Sequence, residues 1–286
     1  MNHVLMKRIA LIGVIVFIVG FLGSMLGSII LGFSSLGSTQ FNFFGSSSES
    51  ASTNEIVNTD LAEEVDINID LGVGQVFVTS GTNHLLEGDF IFDAETGRPE
   101  VDYHENDSLG VLNISQAPRN KILNIGFNTT ANHDEWNIKL NEHIPMNLQL
   151  KTGVGESELN LSELNLTKLD IETGVGETRI DLKGEWHSSF DMKIQTGVGE
   201  TVIDLNGAWH DHFDLEIKTG VGDTTVIIPR DLGVKLQVSK GIGSLSVDGF
   251  YKNGNEYVNA AYETADETMN INLRMGIGEV TILSEN

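Results

Sequence analysis

The pentapeptide Thr173-Gly174-Val175-Gly176-Glu177 recurs along the chain. Close copies stand at 153–156, 197–200 and 220–223, and looser ones at 72–75, 241–244 and 276–279. The first glycines of the regular run fall at 153, 174, 197, 220 and 241, in steps of 21, 23, 23 and 21 residues. A fixed period of this size restricts the chain to an architecture of stacked units.

Residues 148–228 align with themselves. Leu148, Leu169, Met192 and Leu215 share one column, and Leu150, Ile171, Ile194 and Ile217 share another. Thr152, Thr173, Thr196 and Thr219 stand last before the glycines. Beyond the glycines, Leu159, Ile180, Ile203 and Val226 align, as do Leu161, Leu182, Leu205 and Ile228. Strand alternation puts all the aliphatic positions on one face. Each unit therefore reads as strand, glycine turn, strand and return segment. One unit cannot bury its apolar face, whereas units stacked at about 4.8 Å can.

The outward positions fit the same register. Gln149, Asp170, Lys193 and Glu216 form one column, and Lys151, Glu172, Gln195 and Lys218 its neighbour. Opposite charges facing across rungs contribute roughly 0.2–1 kcal/mol per pair. Gly153, Gly155, Gly174, Gly176, Gly197, Gly199, Gly220, Gly222, Gly276 and Gly278 form the structural turn motif. A sharp bend needs positive φ, or backbone too close for a Cβ. Val154, Val175, Val198 and Val221 are expected as small apolar plugs of the bend. No GK[ST] and no helix-forming run follow the glycines, which excludes a phosphate loop or dinucleotide fingerprint.

The return segments carry a second pattern, with Trp186 over Trp209 and His187 over His210. An aromatic ladder closing the stack accounts for it. The alternative is a metal site from His187, His210, His212 and Asp211, although zinc sites need three or four convergent ligands.

The flanks are less regular. Val65 to Leu71 alternate like a half-buried strand before Gly72-Val73-Gly74. Residues 82–147 keep strand-like pieces without the glycines and read as degenerate units with insertions, or a sandwich-like cap. Residues 250–266 form an insertion with an Asn-Gly turn. The C-terminal unit around 276–279 is expected to close the stack.

Residues 9–33 are apolar, without charge or proline. At about 1.5 Å per residue they reach roughly 37 Å, enough to span a hydrocarbon core of about 30 Å. They read as a transmembrane helix, and their length argues against a cleaved signal peptide. Lys7 and Arg8 precede them, so residues 1–8 are expected in the cytoplasm and the remainder outside. Gly23 and Gly27 form a GxxxG pair, a possible helix dimer face supporting a homodimer. Residues 34–57 read as a flexible Ser/Gly-rich stalk, with Phe41, Phe43 and Phe44 placed to rest among headgroups. Residues 58–286 form the extracytoplasmic β-repeat domain.

The chain has no cysteine, which removes disulfides and thiolate chemistry. Its net charge is −24, and the part beyond Arg8 is more negative still. Such a surface repels nucleic acid and anionic lipid over about 8–10 Å.

The TGVGE and TGVGD copies, with the closing Met275-Gly276-Ile277-Gly278-Glu279-Val280, resemble the bacterial toast-rack or adhesin-like family and the C-terminal domain of LiaF-like envelope-stress proteins. That resemblance implies an all-β stacked-repeat solenoid, a single-stranded right-handed β-helix, often attached to bacterial membranes. It implies no catalytic residues and no cofactor.

The leading expectation is a non-enzymatic, surface-exposed module of the bacterial cell membrane, for adhesion, envelope scaffolding or sensing, with an envelope protein or glycan as partner. A rigid array offers long flat faces for binding. The alternative is binding of a cation or basic polymer by the acidic turn column Glu156, Glu177, Glu200 and Asp223. A third, weaker reading is a polysaccharide-active enzyme with Asp181 and Asp204 as stacked carboxylates.

Overall fold

A computed structural model describes residues 50–94, 97–116, 134–254 and 256–285. The apolar run 9–33, Gly23 and Gly27, Phe41, Phe43, Phe44 and stalk residues 34–49 lie outside these. Among the described residues no helix is long and apolar enough to cross a membrane. The described residues are all-β apart from one 3₁₀ turn, Ala260–Glu263.

In chain order the strands begin with β1 (Ser50–Val57), β2 (Glu64–Val73), β3 (Gln75–Thr82), β4 (Leu86–Asp93), β5 (Glu100–Asn106), β6 (Leu109–Ser115) and β7 (Glu135–Asn141). The regular array supplies β8 (Met146–Val154), β9 (Ser157–Asn160), β10 (Leu166–Val175), β11 (Thr178–Asp181), β12 (Glu185–Trp186), β13 (Asp191–Val198), β14 (Thr201–Asp204), β15 (Ala208–Trp209), β16 (Phe213–Val221) and β17 (Thr224–Pro229). The chain ends with β18 (Gly233–Val247), β19 (Phe250–Asn253), β20 (Glu256–Asn259) and β21 (Thr268–Glu285).

Strands before the glycines stack in parallel as one face, in the order β6, β2, β8, β10, β13, β16, β21, β18. Strands after the glycines make a second face, in the order β7, β3, β9, β11, β14, β17, β21, β18. The short pair β12–β15 lies on the return side. The result is a β-solenoid whose inward side chains form one continuous core. One column runs Leu112, Ile67, Leu148, Leu169, Met192, Leu215, Ile271, Leu236, every member buried. Burying a side chain of this size contributes about 1.5–3 kcal/mol. The four aligned aliphatic columns and the threonine column of the sequence are all in register.

Three expectations change. First, β21 does not close the stack: it lies between β16–β17 and β18. The far end is formed by β18 and the antiparallel hairpin β19–β20. Chain order and spatial order also differ at the other end, where β6 and β7 lie outside β2 and β3 although they follow them in sequence. Parallel pairing leaves an incoming strand free to join on either side, so the period alone does not give the order.

Second, residues 50–57 are not stalk. They form β1, paired antiparallel with β4 along its whole length. Every second residue of β1 is half-buried, and Ala51 and Val57 pack against the core. Weak alternation in a Ser-, Thr- and Asn-rich segment hid an edge strand.

Third, the irregular stretch 82–147 contains both extra parallel rungs and antiparallel partners, β5 on β6 and β4 on β7. Its described residues cap one end. Asn141 holds its corner, donating to the carbonyls of Thr82 and His84 and accepting from the amides of His143 and Ile144. Asn259 does the same at the other end, donating to Leu232 O and accepting from Val234 and Tyr262.

Candidate functional site

The glycine corner is the most repeated surface of the molecule. Gly176 has φ +144°, and a Cβ there would lie 1.7 Å from the carbonyl oxygen of Gly155. The second glycine of each unit thus needs both left-handed backbone and the absence of a side chain. The first glycine needs only the absence: a Cβ on Gly174 would lie 2.2 Å from Gly153 O. The same contact recurs from Gly155 on Gly74 to Gly243 on Gly278.

Inside the bend, hydroxyls meet. Thr173 Oγ1 is 3.1 Å from Thr178 Oγ1, Thr201 donates to Thr196 at 3.1 Å, and Thr152 lies 3.4 Å from Ser157. These pairs fill the corner, and the valines do not. Val73, Val154, Val175, Val198, Val221 and Ile242 are between 37% and 50% exposed. The expected plugs point outward because the threonine pairs occupy the inner side. With half-buried Ile277 they make an unbroken row of seven, each residue paired with the next rung.

The acidic column runs beside this row. Gln75 donates to Glu156 at 2.9 Å, Arg179 pairs with Glu177 at 3.4 Å, and Asp223 accepts the amide of Glu279 at 3.0 Å. Glu177, Glu200 and Asp223 are exposed. These carboxylates form a line rather than a cage. Among the described residues no three His, Asp or Glu side chains gather to hold a metal ion. That applies also to His187, His210, His212 and Asp211. His187 and His210 stack at 4.9 Å with nearly parallel rings, while His212 turns to Thr268 and Asp211 accepts the amides of Ser189 and His212. Those amides, His212 first, hold the Asp211 carboxyl below its ordinary value despite slight burial.

Behind the histidines the indoles of Trp186 and Trp209 stack at 5.6 Å. Each N–H donates to the carbonyl four residues earlier, Leu182 or Leu205. The ladder is structural.

Asp181 and Asp204 stand on adjacent rungs, and Lys183, which the sequence columns did not single out, bridges them at 2.6 and 3.5 Å. Ser162 and the Lys183 amide also donate to Asp181. Partial burial pushes the Asp181 carboxyl up, but the hydrogen bonds and charge of Lys183 prevail and leave it below its ordinary value.

The outward face of β10, β13, β16, β21 and β18 forms an open trough of about 710 Å³. Its walls interleave charges and amides: Lys193 pairs with Asp170 at 3.7 Å, and Asn270 donates to Asp214 at 2.9 Å. The hydrogen bond from Lys218, then the charges of Lys218, Arg274 and Lys193, hold Glu216 below its ordinary value against slight burial. Of the neighbouring column, Lys218 and Arg274 both pair with Glu216.

Fold and surface define an acidic β-solenoid that presents one straight corner and one flat polar face, both repeated rung by rung. The chain belongs to the toast-rack family. The family model described as the N-terminal domain of toast_rack matches residues 45–204, more than half of the chain. A second, described as cell wall-active antibiotics response LiaF, C-terminal, matches residues 183–282. Among solved structures, the chain is similar to a candidate cell adhesion protein from Clostridium sporogenes, at 29% identity over 83% of this chain and 100% of that one, with a TM-score of 0.60. It also matches a candidate adhesin from Bacteroides fragilis at 14% identity, over 83% of this chain and 98% of that one, with a TM-score of 0.37. No curated protein matches it.

Proposed function

We propose that the chain is a membrane-anchored, surface-exposed binding module of the bacterial cell envelope, adhesin-like or serving in sensing or scaffolding, and not an enzyme. The observation that carries this reading is the corner itself, where the same exposed Val-Gly-Glu edge repeats in register along the stack. Evenly repeated edges suit extended contact with a large partner. The LiaF-like match and the Clostridium sporogenes neighbour support a place in the envelope. The proposed partner is an envelope protein or glycan, not nucleic acid, given the net charge of −24. The coil is taken as right-handed, residues 9–33 as its single span, and Gly23 with Gly27 as a helix dimer face.

Against catalysis stands the state of Asp181 and Asp204. A glycosidase acid needs a raised pKa, whereas Lys183 engages both carboxylates and lowers that of Asp181.

The absence of cysteine makes a direct test available. Glu185→Cys, on an exposed position of the return side, is expected to react with a membrane-impermeant maleimide on intact cells. Asn2→Cys is expected to react only after lysis. The reverse pattern, or release of labelled chain into the medium, would remove the anchored, outward-facing topology. Crosslinking of the full chain in its membranes then identifies what the array touches.

The second reading, basic-polymer binding by Glu156, Glu177, Glu200 and Asp223, is favoured by the regular spacing of that column and the exposure of Glu177, Glu200 and Asp223.

A further inference from the structure

The seven-residue row Val73, Val154, Val175, Val198, Val221, Ile277 and Ile242 has no counterpart in the packing of the fold. Glycines flank each member along the chain, and its cross-rung partners are the other members of the row. Single exposed aliphatic residues need no explanation, but a continuous line of them does. Six rung steps at about 4.8 Å make the line roughly 29 Å long.

Two features select an occupant. The first is charge. The row is bordered by Glu156, Glu177, Glu200, Asp223 and Glu279, on a chain of net charge −24. A second copy, or an anionic membrane, would bring like charge against this edge. A partner carrying both aliphatic and basic groups meets both columns at once.

The second is pitch. An extended strand laid along the row repeats its side chains at about 6.6–6.8 Å on one face and falls out of step with the rungs. A helix repeats about every 5.4 Å, close to the rung spacing, and roughly 19 residues cover the whole row. Its i, i+3, i+4, i+7 stripe, about five turns long over the row, then lies along all seven aliphatic side chains at one or two per turn.

We propose that the glycine corner is a docking edge for a basic amphipathic helix of a partner protein. The apolar stripe of that helix lies on the valine row, and its lysines or arginines face the acidic column. This rests on the binding-module reading above and names the chemistry of the partner for that same corner.

The test uses the full chain in neutral detergent and a fluorescent 20-residue peptide of leucine and lysine at helical spacing. Controls are a scrambled peptide of the same composition and a leucine–glutamate counterpart. The amphipathic basic peptide is expected to bind at least tenfold more tightly than the scrambled one, and the acidic one not at all. Changing Val154, Val175, Val198 and Val221 together to Thr is expected to weaken binding at least tenfold with the far-UV spectrum unchanged. Should that variant not fold, Val175→Thr and Val198→Thr singly, each at about threefold, decide the matter. Glu156→Gln, Glu177→Gln, Glu200→Gln and Asp223→Asn together are expected to weaken binding and flatten its salt dependence.

Equal binding of the scrambled peptide, or full affinity in the valine variants, overturns the proposal in favour of charge alone. Self-association lost on valine substitution, or uptake by neutral vesicles instead of the peptide, overturns it in favour of a second copy or a lipid surface. Loss of peptide binding while Glu185→Cys still labels on intact cells removes this proposal and leaves the envelope reading in place.

Discussion

Gly176 sits directly on Gly155: the position a Cβ would take at Gly176 is 1.7 Å from the carbonyl oxygen below. Gly81 also has positive φ, at +105°, but nothing lies within 4 Å of its missing Cβ. Gly81→Ala is therefore expected to cost about 1–2 kcal/mol of strain alone. Gly176→Ala adds a backbone clash with the rung below and is expected to cost about 3 kcal/mol or more, the upper range for single changes. Denaturant unfolding of the two variants measures the gap. Similar costs for both would mean that conformation, and not stacking, demands the glycine.

The three tryptophans differ in how they meet their polar requirement. Trp186 donates its indole N–H to Leu182 O at 2.9 Å, while Trp136, fully buried and edge-on to Phe90, has no acceptor among the described residues. A buried donor without a partner costs about 1–3 kcal/mol. Trp186→Phe is thus expected to destabilise by about 2–3 kcal/mol, through the lost bond and the gap left beside Trp209. Trp136→Phe is expected to cost about 1 kcal/mol less, although its site is the more buried. Chemical denaturation gives the comparison, and a larger loss at Trp136 would contradict it.

Lys183 and Asp181 set a pH window. The Asp181 carboxyl is held below its ordinary value, so its contribution is present above that value and lost as pH falls through the folded one. Hydrogen bonding to Asp181, against slight burial, raises the Lys183 ammonium. Its contribution is complete below the ordinary lysine value and lost as pH rises through the folded one. The difference in stability between the native chain and Lys183→Met is expected to be constant from about pH 4 to pH 10 and to shrink outside that range. Since Lys183 is exposed and Asp181 only partly buried, solvent screening keeps the plateau within about 1 kcal/mol. An undiminished difference at pH 2 would assign the effect of Lys183 to packing.

β21 sits between β16–β17 and β18, so removing it opens the stack internally. A chain ending at residue 267 is expected to lose cooperative unfolding of its C-terminal third and to expose β18 to proteolysis. A chain lacking residues 250–257, which keeps Asn259 at its corner, is expected to keep its main transition. Limited proteolysis separates these outcomes, and equal resistance in both would place β21 at the periphery.

The period of 21 to 23 residues made the core legible: every aliphatic column of 148–228 was readable, because side-chain direction follows strand parity. Three features were not. The threonine pairs join a residue before the glycines to one beyond them, which the columns do not show, and the volume they fill is the one expected of Val154, Val175, Val198 and Val221, which are exposed. β1 carries too few aliphatic residues to signal a strand, and pairing with β4 supplies what its sequence lacks. Lys183 lies just beyond the aligned strand, so its bridge from Asp181 to Asp204 has no trace in the columns. The acidic column was readable as a line, but its neighbour, the aliphatic row, became a surface only once the corner was seen to turn outward.

The place of β21 also bears on synthesis. A solenoid laid down in chain order can fold behind the ribosome, each coil settling on the one before. Here β18 emerges before the neighbour that separates it from β16 and β17, so it must wait, or pair provisionally with β16. Its proper neighbour, β21, is made only after the hairpin β19–β20 and the 3₁₀ turn. A chain that stops short of β21 lacks the strand that joins β18 to the stack, and is left with an open edge for proteases to find.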